Sequence, residues 1–267
     1  MKDLLVKSYR MHEVHSYIWS DNEKNKALGI KTPENVRVIN AQTPDHEYLR
    51  VSMIPTLLSF VKENRSYADT YSIFEIGHTV DGLRDNGTAN EKKKLGAVLY
   101  SRTASEEELF LTARDAAEEL CRDILHKAPE FASAECDYDF EHPKNAFDIV
   151  LDGVKVGLLS VLHPAVLDNV DKRGAVAFFE LVIEEFAATE EGRIKYREPS
   201  RFPAIDIDLT FNADIGAIVF SELERVAKEA AGDMLSDLRV HDVYTSEGVS
   251  ALTVRFSFVS DAFLFYF

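Results

Sequence analysis

Residues 48–80 read YLRVSMIPTLLSFVKENRSYADTYSIFEIGHTV, and this segment combines a helix pattern with a strand pattern. Its first half has apolar residues at helical spacing: Leu49, Met53, Leu57, Leu58 and Val61. This pattern predicts a helix over Tyr48 to Tyr67, with Pro55 marking a kink or its first turn. Tyr71 to Val80 alternates apolar and polar residues, which predicts a strand directly after the helix.

A second helix is predicted from Ser105 to about His126. Ser105 with Glu108 three residues later forms a capping box, the usual start signal of a helix. One face of this segment is apolar, with Leu109, Ala113, Ala116, Leu120 and Ile124. We therefore expect these two helices to be the longest in the first part of the chain, from Met1 to about Glu185.

The rest of the first part of the chain is predicted to form short strands and two small helices, the first an amphipathic helix at the N-terminus with Leu4, Leu5, Tyr9 and Met11 at helical spacing. The predicted strands are His12 to Trp19, Val36 to Ile39, Leu95 to Tyr100, Ala134 to Tyr138, Phe147 to Leu151, Val154 to Leu162 and Val176 to Ile183. Ser20-Asp21 caps a helix that Gly29 ends, and Asp152-Gly153 is a strong hairpin signal. Because helices and strands do not alternate regularly, we expect an α+β fold, an antiparallel sheet flanked by helices.

The pattern lapses between Ala187 and Ser200, which indicates a linker and a domain boundary near Lys195. We therefore predict two domains, 1–194 and 195–267. The second has a strand at Ala204 to Phe211, a helix at Phe220 to Ala231, and strands at Leu238 to Tyr244 and Ala251 to Val259. The order βαββ is the first part of a ferredoxin-like βαββαβ unit.

Composition excludes several classes of function. A net charge of −16 over 267 residues argues against nucleic-acid binding by this chain alone, because neutralising phosphates supplies most of that affinity. No apolar run approaches the ~20 residues needed to span a bilayer, so we expect no membrane role and a cytoplasmic protein. Cys121 and Cys136 lack metal-ligand spacing and are expected to be free, inert, buried thiols.

Several collinear motifs carry a family resemblance. In the first domain they are Glu13-Val14-x-x-Tyr17, Asn40 to Asp45, Leu49-Arg50-x-Ser52-x-x-Pro55-x-Leu57-Leu58, Asn64, Ile73 to Gly77, Gly157 to Pro164 and Phe179-Glu180-Leu181. In the second they are Ser200 to Ala204 with Asp208, Asp242-Val243-Tyr244 and Ser250 to Phe258. In their joint order they resemble the C-terminal part of the beta subunit of bacterial phenylalanyl-tRNA synthetase.

The resemblance implies a non-catalytic class II synthetase-like core, followed by a ferredoxin-fold anticodon-binding domain. It implies the catalytic alpha subunit and tRNA(Phe) as partners, with ATP and Mg used by the assembled enzyme and no cofactor in this chain. Two departures stand out. The family usually has a basic residue where this sequence has Ile207, and its second helix and fourth strand, expected after Val259, are missing from the sequence.

Adenylate formation needs one arginine on the ATP α-phosphate, with an acidic partner, and a second on the γ-phosphate. Arg65 is the sole candidate for the first, and its neighbours Asn64 and Tyr67 do not fit the pattern. We therefore predict no catalytic residue here. A hydrolase built on Glu75 and His163 lacks a nucleophile or metal set, so we expect these two residues to fix the backbone.

The resemblance points to binding residues instead. Aromatic stacking and phosphate contacts make five residues candidates for tRNA binding: Arg201, Phe202, Arg239, Tyr244 and Arg255. Phe202 and Tyr244 can equally be core aromatics. Arg50 belongs to the part of the resemblance that implies a subunit interface, or it forms a surface ion pair. Lys92 to Lys94 either touch RNA phosphates or form a solvated loop edge.

Two further expectations concern the role and the end of the chain. The main alternative function is a free-standing pseudo-synthetase paralogue that binds an amino acid or a regulatory partner. Without a second helix, the ferredoxin-like sheet would leave an apolar face uncovered: Leu252, Val254, Phe256 and Phe258. We therefore predict that Ala262 to Phe267 folds over this face or pairs with a neighbouring chain.

Overall fold

The computed structural model describes residues 1–193, 200–212, 220–246 and 249–260. The chain divides into two compact units, Met1–Ile194 and Lys195–Phe267. The helices of the first unit are α1 (Lys2–Lys7), α2 (Asn22–Leu28), α3 (Ile54–Asn64), α4 (Glu106–Leu125), α5 (Pro164–Val170) and α6 (Ile183–Ala188). Its strands are β1 (His12–Glu13), β2 (Trp19–Ser20), β3 (Tyr48–Leu49), β4 (Thr70–Leu83), β5 (Ala89–Ser101), β6 (Glu130–Ser133), β7 (Glu141–Leu151), β8 (Val154–Leu162) and β9 (Ala175–Val182).

Seven of these strands form one sheet in the order β1-β4-β5-β9-β8-β7-β6. Every neighbouring pair is antiparallel except β1 and β4, which run parallel. The sheet is therefore mixed, and the expectation of a purely antiparallel sheet is wrong at this edge. Leu5 and Met11 are buried in the same apolar cluster as Phe74 of β4, and this packing of the N-terminal segment places β1 alongside β4.

Helices cover both faces of the large sheet, so the α+β prediction is confirmed. On one face, Leu109, Ala116 and Leu120 of α4 pack against sheet residues such as Phe179. On the other face, α3 and α5 pack against a second set that includes Phe178. Each fully buried large apolar side chain contributes roughly 1.5–3 kcal/mol, so these two layers supply most of the driving force for folding this unit.

The residues at the start of helices α3 and α4 determine where these helices begin. At the start of α4, Ser105 Oγ accepts a hydrogen bond from the Glu108 N–H at 3.1 Å, and Glu108 Oε2 accepts one from the Ser105 N–H at 2.7 Å. This confirms the capping box, and α3 and α4 are the two longest helices of the first unit. Helix α3 is shorter than expected, because Pro55 lies in its first turn and Tyr48–Leu49 is strand β3.

The Asp152-Gly153 hairpin is confirmed, with φ angles of 51° and 79°, values that favour the Asp-Gly pair. Three strand predictions are wrong. His12 to Trp19 is not one strand, because β1 and β2 pair with different partners. Val36 to Ile39 makes only an isolated bridge, from Arg37, and Ile39 is 96% exposed, so this segment lacks a buried face. A strand is predicted at Ala134 to Tyr138, but the strand that pairs with β7 is β6, Glu130–Ser133, just before that segment.

The second unit contains β10 (Ile205–Asn212), α7 (Phe220–Ala231), β11 (Leu235–Ser246) and β12 (Val249–Phe258), so the order βαββ is confirmed. Its sheet has the order β10-β12-β11. The apolar face that the sequence predicts to need a cover is in fact buried at Leu252, Val254 and Phe256, and Phe220 and Leu223 at the start of α7 pack against these residues. The predicted folding back of Ala262 to Phe267 lies outside the described residues.

Candidate functional site

Arg50 and Glu75 form a buried ion pair inside the first unit. Arg50 Nη2 lies 3.1 Å from Glu75 Oε1, and both side chains are 3% exposed. Ser16 completes the group: its hydroxyl donates to Glu75 Oε2 at 2.6 Å and accepts from Arg50 Nη1 at 2.6 Å. A Cβ on Gly77 would lie 2.7 Å from Arg50 Nη2, so only glycine leaves room for this pair.

The structure therefore places Arg50 in the interior, and its carboxylate partner belongs to the same chain. The expectation of a surface ion pair is wrong, since both groups are desolvated. A role for Arg50 at a subunit interface stays a prediction. Glu75 accepts hydrogen bonds from Arg50 and from the Ser16 N–H at 3.2 Å, so it fixes neighbouring segments as expected.

A second buried ion pair joins strand β9 to strand β5, and its carboxylate also binds the start of helix α3. Glu180 Oε1 accepts from the Met53 N–H at 2.7 Å and from Ser52 Oγ at 3.0 Å, at the N-terminal end of α3. Its other oxygen lies 3.2 Å from Lys94 Nζ, which donates to the Val51 carbonyl at 2.6 Å. Lys94 is thus buried in β5, and the prediction of a solvated lysine triplet fails at this residue.

A third buried carboxylate, Asp171, follows helix α5. It accepts from the Tyr100 hydroxyl at 2.7 Å, and it pairs with Arg102 through Nη2 at 2.5 Å. Burial raises the pKa of Asp171, but hydrogen bonds from the Arg173 N–H, Tyr100 and Arg102 outweigh it and lower the pKa to about 2. Sequence reasoning assigned no role to Glu180 or Asp171. A lone acid in the apolar run AVAFFELV is the signal that would have identified Glu180.

The residues considered for catalysis have structural partners. His163 caps helix α5, where its Nδ1 accepts from the Ala165 N–H at 3.1 Å, as expected for the Leu-His-Pro turn. Arg65 follows the last residue of α3 and donates to the Val170 carbonyl at 3.4 Å. Across residues 1–193, 200–212, 220–246 and 249–260, no group of three or more His, Cys, Asp or Glu side chains could hold a metal ion.

Three of the five predicted tRNA-binding residues share one face of the small sheet. Arg239 of β11 lies directly opposite Arg255 of β12, and Tyr244 of β11 lies opposite Ala251 of β12. Ala251 is four residues from Arg255, and since side chains alternate between the two faces of a strand, Tyr244 shares the face of the two arginines. Tyr244 is 60% exposed, so the alternative that it is a core aromatic is wrong. Arg201 and Phe202 precede β10, outside this set, with Arg201 exposed and Phe202 half-buried.

The electrostatics of this face are mixed. Arg255 makes two hydrogen bonds of 2.7 Å to Asp208, which lower the pKa of that carboxyl group. Arg239 approaches a carboxylate, Asp237, only at 4.0 Å. The same face also carries Asp206 and Asp242. Four aspartates against two arginines give it an acidic excess, in which Arg239 and Tyr244 are the groups best placed to meet a ligand.

The two cysteines differ in environment. Both are free; Cys121 is buried, whereas Cys136 is exposed, so the prediction of two buried thiols holds only for Cys121. Burial raises the pKa of Cys121 to about 12, which keeps it protonated and unreactive. Among the helices of the described residues, none has the length and apolar character needed to cross a membrane.

The family model of the phenylalanyl tRNA synthetase beta chain CLM domain matches residues 1–183. Three similar proteins are phenylalanine–tRNA ligase beta subunits. That of Pseudomonas syringae pv. tomato is 32% identical and is matched over 92% of this chain and 31% of its own length. Those of Aquifex aeolicus and Syntrophus aciditrophicus are 28% and 27% identical, over 89% and 84% of this chain. The chain spans less than a third of the length of each relative.

Proposed function

This chain belongs to the family of the phenylalanyl-tRNA synthetase beta chain CLM domain, and we propose that it serves as a non-catalytic part of such a beta subunit. In this role, the first unit is a class II synthetase-like scaffold for the catalytic alpha subunit. The second is a ferredoxin-like module that contributes to tRNA(Phe) binding. The observation that carries the proposal is the match of the family model to residues 1–183, nearly the whole first unit.

The contacts of Arg65 support the non-catalytic part of the proposal. Arg65 is the only arginine near the position that the resemblance assigns to the ATP α-phosphate, and its guanidinium group contacts the Val170 carbonyl at the end of α5. Phosphoryl chemistry needs positioned cations around the transferring group. ATP–pyrophosphate exchange with phenylalanine tests the proposal. We expect only background exchange from the chain alone; exchange that disappears in Arg65→Ala would refute the non-catalytic role.

Docking with the alpha subunit is tested by co-expression with the alpha subunit encoded in the same genome. We expect the two chains to elute together from a sizing column. Separate elution at micromolar concentrations, with both chains folded by circular dichroism, would contradict the scaffold role. ATP and Mg enter this proposal through the assembled enzyme, because it assigns adenylate formation to the alpha subunit.

The polar face of the small sheet supports a contribution to tRNA binding. Base stacking on an exposed aromatic contributes roughly 1–3 kcal/mol, and Arg239 offers a cation that is not held by a close carboxylate. In the complex with the alpha subunit, Tyr244→Ala should weaken tRNA(Phe) binding roughly tenfold. Arg239→Ala should weaken it less and reduce its salt dependence.

The matched control is Arg225→Ala, which removes an exposed arginine of α7 paired with Glu229 at 2.7 Å. It should leave tRNA affinity unchanged. Fluorescence anisotropy with labelled tRNA(Phe) measures all three variants. Equal affinities for Tyr244→Ala, Arg239→Ala and the wild-type complex would show that this face does not meet RNA, while leaving the scaffold role standing.

A further inference from the structure

A charged cleft lies over strands β5, β8 and β9 of the large sheet. Its volume is about 250 Å³, close to the lower end of the ~300–1,000 Å³ typical of small-molecule sites. The buried pair Lys94 and Glu180 lines it, and Leu158 and Val182 add an apolar patch. The lining includes Lys92 and Lys94 of the lysine triplet, but none of the residues considered for catalysis and none of the five tRNA-binding candidates of the second unit.

Four carboxylates line the cleft, and Asp81 is the one without a close cation: Glu180, Glu185 and Asp137 each lie within 3.2 Å of a lysine Nζ. Within the part of the chain that the structure describes, the only ion contact of Asp81 is with Lys94 Nζ at 3.7 Å, longer than a hydrogen bond. Lys94 already donates to the Val51 carbonyl and pairs with Glu180. Because Asp81 is exposed, both of its oxygens remain available to a cationic group that enters the cleft.

Two donors with unused capacity line the same cleft. Lys92 Nζ pairs with Glu185 at 3.0 Å, its single side-chain partner among the described residues, and an ammonium group has three donors. The Tyr138 side chain is held by stacking on Phe140, with ring centroids 4.9 Å apart. Its hydroxyl has no hydrogen-bond partner in residues 1–193 or the other described ranges. Burial and nearby carboxylates raise the Tyr138 pKa, so the hydroxyl stays protonated.

These groups define the ligand by its chemistry. A simple anion would meet Lys92 and Tyr138 but also the carboxylates of Asp81 and Glu180. A simple cation would meet Asp81 but also the lysines. We propose that the cleft binds a small zwitterion of the α-amino-acid class, with its ammonium group at Asp81 and its carboxylate at Lys92 and the Tyr138 hydroxyl. This site would act independently of the proposed role with the alpha subunit and tRNA.

The test uses the full chain, labelled with ¹⁵N, and three probes: L-alanine, propionate, which lacks the ammonium group, and ethylamine, which lacks the carboxylate. We expect L-alanine to shift the amide signals of Gly157 and Leu158 saturably below a concentration on the order of 50 mM, as for a millimolar Kd. Both single-charge probes should bind at least tenfold more weakly than alanine, since each leaves one set of groups without a partner.

Matched variants identify the residues. Asp81→Asn and Lys92→Gln should each raise the Kd for alanine at least tenfold, and Tyr138→Phe should raise it several-fold. The controls are Asp69→Asn, an exposed aspartate whose nearest cation is 3.8 Å away, and Lys127→Gln, a lysine paired with Asp152 outside the cleft. Dispersed amide spectra establish that each variant is folded.

Three outcomes would overturn the proposal. Propionate binding as tightly as alanine would make the cleft an anion site, and ethylamine binding as tightly would make it a cation site. Absence of any saturable shift at Gly157 and Leu158 would leave it a solvated cluster of ion pairs. None of these results bears on co-elution with the alpha subunit, so failure here and failure of the proposed function are distinguishable.

Discussion

The carboxylate of Glu180 accepts the backbone N–H of Met53 at 2.7 Å, which fastens the central strand β9 to the N-terminal end of helix α3. The first N–H groups of a helix have no partner within it, and a carboxylate there also interacts favourably with the helix dipole. The same side chain pairs with Lys94 at 3.2 Å. One buried acid thus links the sheet, a helix end and a buried lysine.

Removal of this acid should destabilise the first unit strongly. Glu180→Ala leaves Lys94 buried without its carboxylate, which typically costs about 3–5 kcal/mol. Urea unfolding followed by circular dichroism measures the change. The double variant Glu180→Gln with Lys94→Met removes both charges and should recover much of the loss. A surface control, Glu185→Gln, should change the free energy of unfolding by about 0.5 kcal/mol or less.

The second prediction concerns Arg50. Because its guanidinium group serves Glu75, Ser16 and the His78 carbonyl together, Arg50→Lys cannot satisfy all three. We expect Arg50→Lys to destabilise the isolated chain by roughly 1–3 kcal/mol and Arg50→Ala by about 3–5 kcal/mol. Thermal unfolding of the chain without the alpha subunit measures this. A melting temperature unchanged in both variants would mean that the buried pair contributes nothing to folding.

The third prediction is a pH dependence set by Asp171. Its pKa falls from 3.8 to about 2, so its contribution is fully present above about pH 4 and is lost as pH falls through about 2. The shift corresponds to about 2 kcal/mol. Asp171→Asn should lower the free energy of unfolding at pH 7, and its deficit against wild type should shrink between pH 4 and pH 2. If the deficit is constant over this range, the carboxylate is not held by Tyr100 and Arg102.

The fourth prediction separates the two thiols. Exposed Cys136 should react with a thiol reagent within minutes under native conditions, although burial and nearby carboxylates raise its pKa and slow it relative to a free thiol. Cys121 should react only after urea unfolding. The Cys136→Ser variant isolates Cys121, and its rapid native labelling would mean that helix α4 is not packed on the sheet as described.

Local signals explain what could be predicted from the sequence. The ends of α4, the hairpin at Asp152-Gly153 and the whole of α7 are encoded within a few neighbouring residues, and all three agree with the structure. The sequence does not locate strand β6, because Glu130–Ser133 has little alternation of its own and depends on pairing with β7. A strand so short gains its position from its neighbour.

The buried charges were harder to predict because their partners lie far apart in sequence. Glu180 meets Ser52 across 128 positions, and no spacing rule relates them. Arg50 and Glu75 each belong to a recognisable motif, but nothing in either segment shows that the two side chains meet in the interior. Burial of a charge depends on the assembled sheet. Residue type alone therefore predicts that Arg50 and Lys94 lie on the surface.

The position of β9 has a consequence for how the chain is made. It lies in the middle of the seven-stranded sheet, between β5 and β8, yet it is the last of the seven in sequence. On the ribosome, β1, β4 and β5 on one side and β6, β7 and β8 on the other emerge first, as two groups with open inner edges. Until Ala175–Val182 is synthesised, no strand pairs with both inner edges, so nascent chains stalled before that point would expose two unpaired strand edges and be in need of chaperones.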